Sequence, residues 1–199
     1  VAPAASLSQD IPQGHTSDTL KAITDGKTDH KYVSGGDNSS CWSNWKYSQE
    51  GHKSASITLT YATQQRLGEA KIFFFEDASS ARFPDPHTVK FQVSEDGSKW
   101  TDVAVTEKIG EAMGEGKRVK PYTYSFAPVA ATYVKITVTN KDVQLGGTTK
   151  PCTGITEVQL KTASGSTTVN ATAALSSLTV NGQKVSSAAL AAGEFSTRA

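Results

Sequence analysis

Two polar stretches hold most of the side chains that could meet a ligand. The first, CWSNWKYS (41–48), sets Asn44 among Trp42, Trp45 and Tyr47. The second, EDASSARFPDPH (76–87), brings Glu76, Asp77, Arg82, Phe83, Asp85 and His87 together between two apolar runs. Rings beside amides, carboxylates and a guanidinium suit a saccharide. A ring covers the C–H face of the sugar, polar groups bond the hydroxyls at its edge, and the apolar wall excludes water. Polar loops of this kind carry function more often than strands do. Aromatics also have purely structural alternatives: Phe83 stapling its own loop down, Trp100 closing a hairpin.

The same residues argue against catalysis. Glu76 and Asp77 are adjacent, and neighbours on a strand point to opposite faces, which is wrong for two carboxylates flanking one glycosidic bond. No G-x-S-x-G, phosphate-binding loop or H-E-x-x-H motif occurs, and His15, His30, His52 and His87 stand isolated in polar surroundings. The chain is therefore expected not to be an enzyme in itself. Lys and Arg number 20 against 19 Asp and Glu, so no overall field draws the protein to nucleic acid or an anionic membrane. No apolar run approaches the ~20 residues of a membrane-spanning helix. The chain begins Val-Ala-Pro without Met, as a piece of a longer polypeptide or a processed product would.

The elements that must position these residues read as short strands. In HTVKFQVSEDGSKWTDVAV (87–105), Val89, Phe91 and Val93 alternate with Lys90 and Gln92, and Asp96-Gly97 supplies a tight turn. SITLTYA (56–62), EAKIFFFE (69–76), YTYSFA (122–127), TYVKITVTN (132–140) and GITEVQLKT (154–162) complete the set. EAKIFFFE is apolar on both faces, as a central strand covered on both sides would be. No stretch sustains a helical repeat, so the pattern predicts an all-β antiparallel sandwich. Residues 1–17 read as a leading linker and 163–174 as a Ser/Thr/Ala linker. Residues 175–199 read as a tail or the truncated start of an immunoglobulin-like repeat, with a strand and an Asn-Gly turn.

In order, AITDGKTD (22–29), CWSNW (41–45), KIFFFEDASSARFPDPHTVKFQVSEDGSKWTDV (71–103), FAPVAATYVKITVTN (126–140) and GITEVQLK (154–161) resemble the discoidin, or coagulation factor V/VIII C-type, domain. More closely, residues 18–162 look like the family 32 carbohydrate-binding modules of bacterial secreted glycoside hydrolases. W-S-N-W with FFFED…P resembles a subgroup found beside arabinofuranosidases and β-galactosidases. KTDHKYVSGGDNSSC (27–41) is longer than the usual connection.

The resemblance implies a galactose-binding-like jelly roll of about eight strands whose loops at one end bind ligand. It implies a non-catalytic module, monomeric and secreted or at a bacterial cell surface, tethering a parent hydrolase to galactose- or arabinose-containing glycans. The ligand-binding residues expected are Asn44, Trp45, Tyr47, Asp77, Arg82, Phe83 and His87. A spacer of the same fold packing on neighbouring domains is the alternative, and it would bury the aromatics at 45, 47 and 83. Discoidin folds also bind proteins or phospholipids, but the long loops here lack the apolar spikes of lipid binders.

Two further expectations follow from the resemblance. Asp25, the backbone around Ala22, Lys27 and Thr28 or Asp29, and Glu157 match the family's structural calcium site; Lys27 stands where Asp or Asn is common. A hard cation wants six to eight oxygens, which a carbonyl-rich turn with two carboxylates can supply. Cys41 and Cys152 could be two unrelated buried thiols. Chain order and the family's geometry instead favour a disulfide closing about 110 residues.

Overall fold

The computed structural model describes residues 6–12, 19–29, 41–76, 83–113, 118–144, 149–163, 179–180 and 183–184. Its strands are β1 (Ser6–Gln9), β2 (Trp42–Ser43), β3 (Ser54–Phe75), β4 (Thr88–Ser94), β5 (Thr101–Val103), β6 (Val105–Gly110), β7 (Val119–Thr139) and β8 (Gly154–Thr162). A 3-10 turn spans Leu20–Thr24, and one short helix, α1, spans Trp45–Gln49. All strand pairings are antiparallel.

The pairs of strands predicted at 56–62 and 69–76, and at 122–127 and 132–140, are each one long strand. β3 and β7 run side by side and slip register between Thr60 and Gln65. Ala62, Thr63 and Gln64 are exposed there, so the ladder turns a corner where the sequence offers no inward apolar residue. Before the corner, β3 pairs with β1 and with the end of β7, which continues to β4 and β5. Beyond it, β3 lies between β8 and the start of β7, with β2 and β6 at the margins. This is the expected all-β sandwich of eight strands. Ile57, Leu59, Phe91 and Ile136 of one layer meet Ile72, Phe74, Tyr124 and Ile155 of the other, and Trp42 and Ile23 join the same core.

The 87–105 hairpin forms as its alternation predicts. Phe91 faces Val103 and Val93 faces Thr101. Asp96 Oδ1 accepts the N–H groups of Ser98 and Lys99 at 2.8 and 2.9 Å, and Gly97 sits at φ +75°. Trp100 stands edge-on to Tyr133, with Lys135 Nζ 3.9 Å above its ring. Trp100 is therefore scaffold.

Two expectations are corrected. The supposed leading linker contributes β1, whose single inward apolar residue, Leu7, is too short a signal to read as alternation. The Cys41–Cys152 disulfide is absent: both thiols are buried and no disulfide joins them. The register explains this. Trp42 faces Ile155, so Cys41 falls opposite Thr156. Cys152 lies four residues farther along, about 13 Å of extended chain. A disulfide needs Cα atoms within about 7 Å.

The chain divides into two compact units, Val1–Ser164 and Gly165–Ala199. In the second, Thr179–Val180 (β9) pairs antiparallel with Gln183–Lys184 (β10); the predicted Asn-Gly turn lies outside the described residues.

One end of the sandwich collects the connections that matter. Ser54 and Thr88 both face Thr139, while Val119 and Gly154 both face Phe75. The described residues 44–53, 76, 83–87, 111–113, 118, 140–144 and 149–153, which follow or precede these strand ends, therefore lie toward the end opposite the corner.

Candidate functional site

At this end, α1 is clamped to the segment after β7. Asn44 is fully buried. Its Nδ2 donates to Asn140 Oδ1 at 3.0 Å, and its Oδ1 accepts the Thr153 N–H at 2.7 Å. Thr153 Oγ1 also donates to Asn140 Oδ1, and Asn140 Nδ2 donates to the Pro151 carbonyl. Gln49 makes a second clamp, exchanging hydrogen bonds of 2.9 Å with the backbone of Lys150. A groove of about 370 Å³ lies in this region, lined by His52, Lys53, Asn140, Lys141, Gln144 and Lys150 among others. The His52 ring lies flat on Tyr47, centroids 3.8 Å apart and planes 11° apart. Lys53 pairs with Asp142 at 2.8 Å.

Beside the groove, polar side chains close the mouth between the sheets. Lys120 and Tyr122 point inward with Tyr124, and Asp85 reaches down to them. Asp85 Oδ2 accepts from Lys120 Nζ at 2.9 Å and from the Tyr122 hydroxyl. Glu76, at the end of β3, lies 3.7 Å from the same ammonium. Burial, aided by the adjacent Asp85, pushes the Glu76 carboxyl up to about 7, against the pull of Lys120 and Lys141. Burial would raise Asp85 too, but hydrogen bonds from Glu76, Tyr122 and Lys120 hold it down at about 2. The proton affinity of the pair is therefore raised on Glu76 and lowered on Asp85. Asp85 also holds Lys120 protonated, well above its ordinary range. This arrangement anchors the 83–87 segment over the core; its carboxylates lie together, not on opposite sides of a cleft.

Residues 10–158 match the model of the F5/8 type C domain. The chain belongs to this family. Among curated proteins none matches. Among solved structures, the chain is similar to one from work on the Streptococcus pneumoniae β-galactosidase BgaA, with 18% identity, a TM-score of 0.53, and coverage of 77% of this chain and 89% of that one. A Clostridium perfringens chain, CpGH89CBM32-5, in complex with GalNAc-β-1,3-galactose, is 19% identical with a TM-score of 0.49, covering 78% of this chain and 93% of that one. The family 32 module of C. perfringens NanJ, in complex with galactose, is 16% identical with a TM-score of 0.48, covering 78% and 91%.

Within this F5/8 type C domain the predicted residues separate. Asn44 is a buried clamp, and Tyr47 backs the His52 ring of the groove. Trp45, at the start of α1, is half-buried. Phe83 packs edge-on against Phe75 at 5.1 Å and covers Gly154, so it staples its loop down. His87 is exposed, and its backbone N–H donates to the Thr139 carbonyl. Asp77 and Arg82 lie outside the described residues. Trp42 is buried, with Nε1 donating to Gln9 Oε1 at 2.7 Å. The sequence reading missed His52, Lys53, Lys141 and Lys150 of the groove, and Lys120 and Tyr122 of the mouth. Lys120 and Tyr122 share the alternation of YTYSFA, which extends two residues earlier than that stretch suggests. The groove residues flank elements and carry no periodic signal.

Of the expected calcium ligands, Asp25 and Glu157 come near each other at the edge of β8. The Gly26 N–H donates to Glu157 Oε2 at 3.2 Å, and Thr156 Oγ1 donates to the Thr28 carbonyl at 3.0 Å. Asp25 Oδ1 accepts the Lys27 N–H at 2.8 Å, and Lys27 Nζ lies 3.7 Å from Asp25 Oδ2. Ala22 is buried, and its carbonyl accepts the Asp25 N–H; Asp29 follows in the same segment. Glu157 is 5% exposed. Burial first, then the charge of Asp25, pushes its carboxyl up to about 7, despite the Gly26 N–H. A buried carboxylate with a second acidic group near enough to raise its proton affinity fits a hard divalent cation. Among the described residues no group of three acidic, His or Cys side chains gathers, so main-chain carbonyls would have to complete the shell.

Proposed function

We propose that this F5/8 type C domain is a non-catalytic carbohydrate-binding module. It tethers a secreted bacterial glycoside hydrolase to galactose- or arabinose-containing glycans. The observation that carries the reading is the groove at the loop end, where the Tyr47–His52 stack stands beside ammonium and amide groups. One face of His52 lies on Tyr47, and its exposed ring lines the groove, so a sugar C–H face can pack on it while hydroxyls bond Gln144 and the lysines. Neither Trp45, Tyr47 nor Phe83 is fully buried, which favours a module over a spacer. A calcium ion held by Asp25, Glu157 and the adjoining carbonyls would pin the first loop to β8 without entering the ligand site.

A glycan array with the isolated domain, followed by titration calorimetry of each hit, tests this. Binding should be weak, because a shallow site must still offset the entropy of association. His52→Ala should remove it while the melting temperature holds. If no glycan binds the folded domain, the spacer reading replaces this one.

A further inference from the structure

The charges around the groove are unlike those of the chain as a whole. The full sequence is nearly balanced, at +1. The groove is lined by Lys53, Lys141 and Lys150 against Asp142. Asp142 is committed to Lys53, at 2.8 Å. Lys150 Nζ donates to the Gln49 carbonyl at 3.2 Å, which leaves its charge uncompensated. Lys141 lies near enough to Glu76 to lower that group's affinity for a proton, but no ion pair joins them. Among the described residues no carboxylate forms an ion pair with Lys141 or Lys150.

We propose that this groove takes an acidic saccharide: a sugar unit whose carboxylate or sulfate is held between Lys141 and Lys150 while its ring packs on His52. The inference rests on the carbohydrate-binding reading and names the ligand class within it. Two ammonium groups outside ion-pair range of any described carboxylate line one concave surface, and their field favours an anion over a neutral sugar, whose hydroxyls they can still bond. An ammonium–carboxylate hydrogen bond is also about twice as strong as a neutral one. Gln144 and Thr149, on the same lining, can bond the hydroxyls of the ring.

Titration of the 199-residue chain with polygalacturonate, a sulfated galactan, neutral galactan and neutral arabinan decides the matter. Polygalacturonate or the sulfated galactan should bind at least tenfold more tightly than either neutral polymer. Affinity should fall several-fold between low and high salt, since exposed charges are screened over about 10 Å at 0.1 M. Which acidic polymer binds distinguishes carboxylate from sulfate. Lys141→Gln and Lys150→Gln should each weaken binding by roughly tenfold, and Lys141→Arg should retain it. The salt dependence of the unaltered protein needs no variant and stands even if a substitution disturbs folding. Equal, salt-independent binding of neutral galactan or arabinan overturns the acidic ligand and leaves the carbohydrate-binding reading intact. Absence of binding to all four polymers and to the array overturns both.

Discussion

Asn44 and Asn140 are 96 residues apart in sequence and joined side chain to side chain at 3.0 Å, beyond the reach of solvent. The pair does for the loop end what no regular ladder can. It ties the start of α1 to the segment that follows β7, and so sets the separation of the walls bearing His52 and Lys141. Asn44→Ala removes the acceptor of the Thr153 N–H and a donor to Asn140. An unpaired buried polar group costs about 1–3 kcal/mol, so urea unfolding should shift by that amount. Where the variant is still folded, ligand affinity should drop because the groove widens. Unchanged stability would mean that the clamp is not closed in solution.

Gly154 and Phe83 make a second such contact. A Cβ at position 154 would come within 2.9 Å of Phe83 Cδ1 and 3.3 Å of Phe75 Cδ1. Gly154→Ala should therefore lift Phe83 from its seat and destabilise by about 1–3 kcal/mol, the usual range for overpacking. Phe83→Ala should cost less in the Gly154→Ala background than in the natural protein. A double-mutant cycle measures this coupling; an additive result would show that Phe83 does not rest on Gly154.

The fold was readable in the sequence because its strands alternate and its Asp-Gly turn is chemically explicit. Phe91, Val93, Ile136 and Val138 all lie where period two places them. What the sequence hid depends on long-range register. Whether Cys41 meets Cys152 is decided by a ladder offset that neither cysteine signals. The merging of four short strands into β3 and β7 depends on backbone continuity through an exposed corner that reads as loop. The groove is assembled from single residues at element ends, brought together by amide clamps. Asn44 reads by type as a ligand contact, and its burial gives it the supporting role.

The mouth cluster predicts a pH dependence of stability. Glu76 carries a pKa of about 7 in the folded protein, above an ordinary glutamate. The folded state therefore holds a proton that the unfolded chain has released, and stability falls as pH rises from about 4.5 to about 7. Asp85, held at about 2, has the opposite sign: its contribution is present above about 4 and is lost as pH falls toward 2. Glu76→Gln, which mimics the protonated carboxyl, should flatten the loss between pH 5 and 7 and raise the melting temperature at pH 8. Glu157, also raised, keeps part of the slope in that variant. A profile identical to that of the natural protein would remove Glu76 from the account.

Calcium should act at the other edge of the same layer. Glu157 accepts the Gly26 N–H and lies near enough to Asp25 to feel its charge, and a cation binding there would relieve their repulsion only in the folded state. An ion present at a hundred times its dissociation constant stabilises by about 2.7 kcal/mol. Chelation should therefore lower the melting temperature by several degrees, and added calcium should restore it. Asp25→Asn and Glu157→Gln should each abolish the calcium response. Glu157→Gln should also raise the stability of metal-free protein, because it removes the repelling charge. Ligand affinity should be unchanged by any of these steps at temperatures where the domain is folded, since the groove is built from α1 and the segment after β7. If melting is the same in chelator and in excess calcium, Asp25 and Glu157 hold no ion, and the buried Glu157 carries its proton in its place.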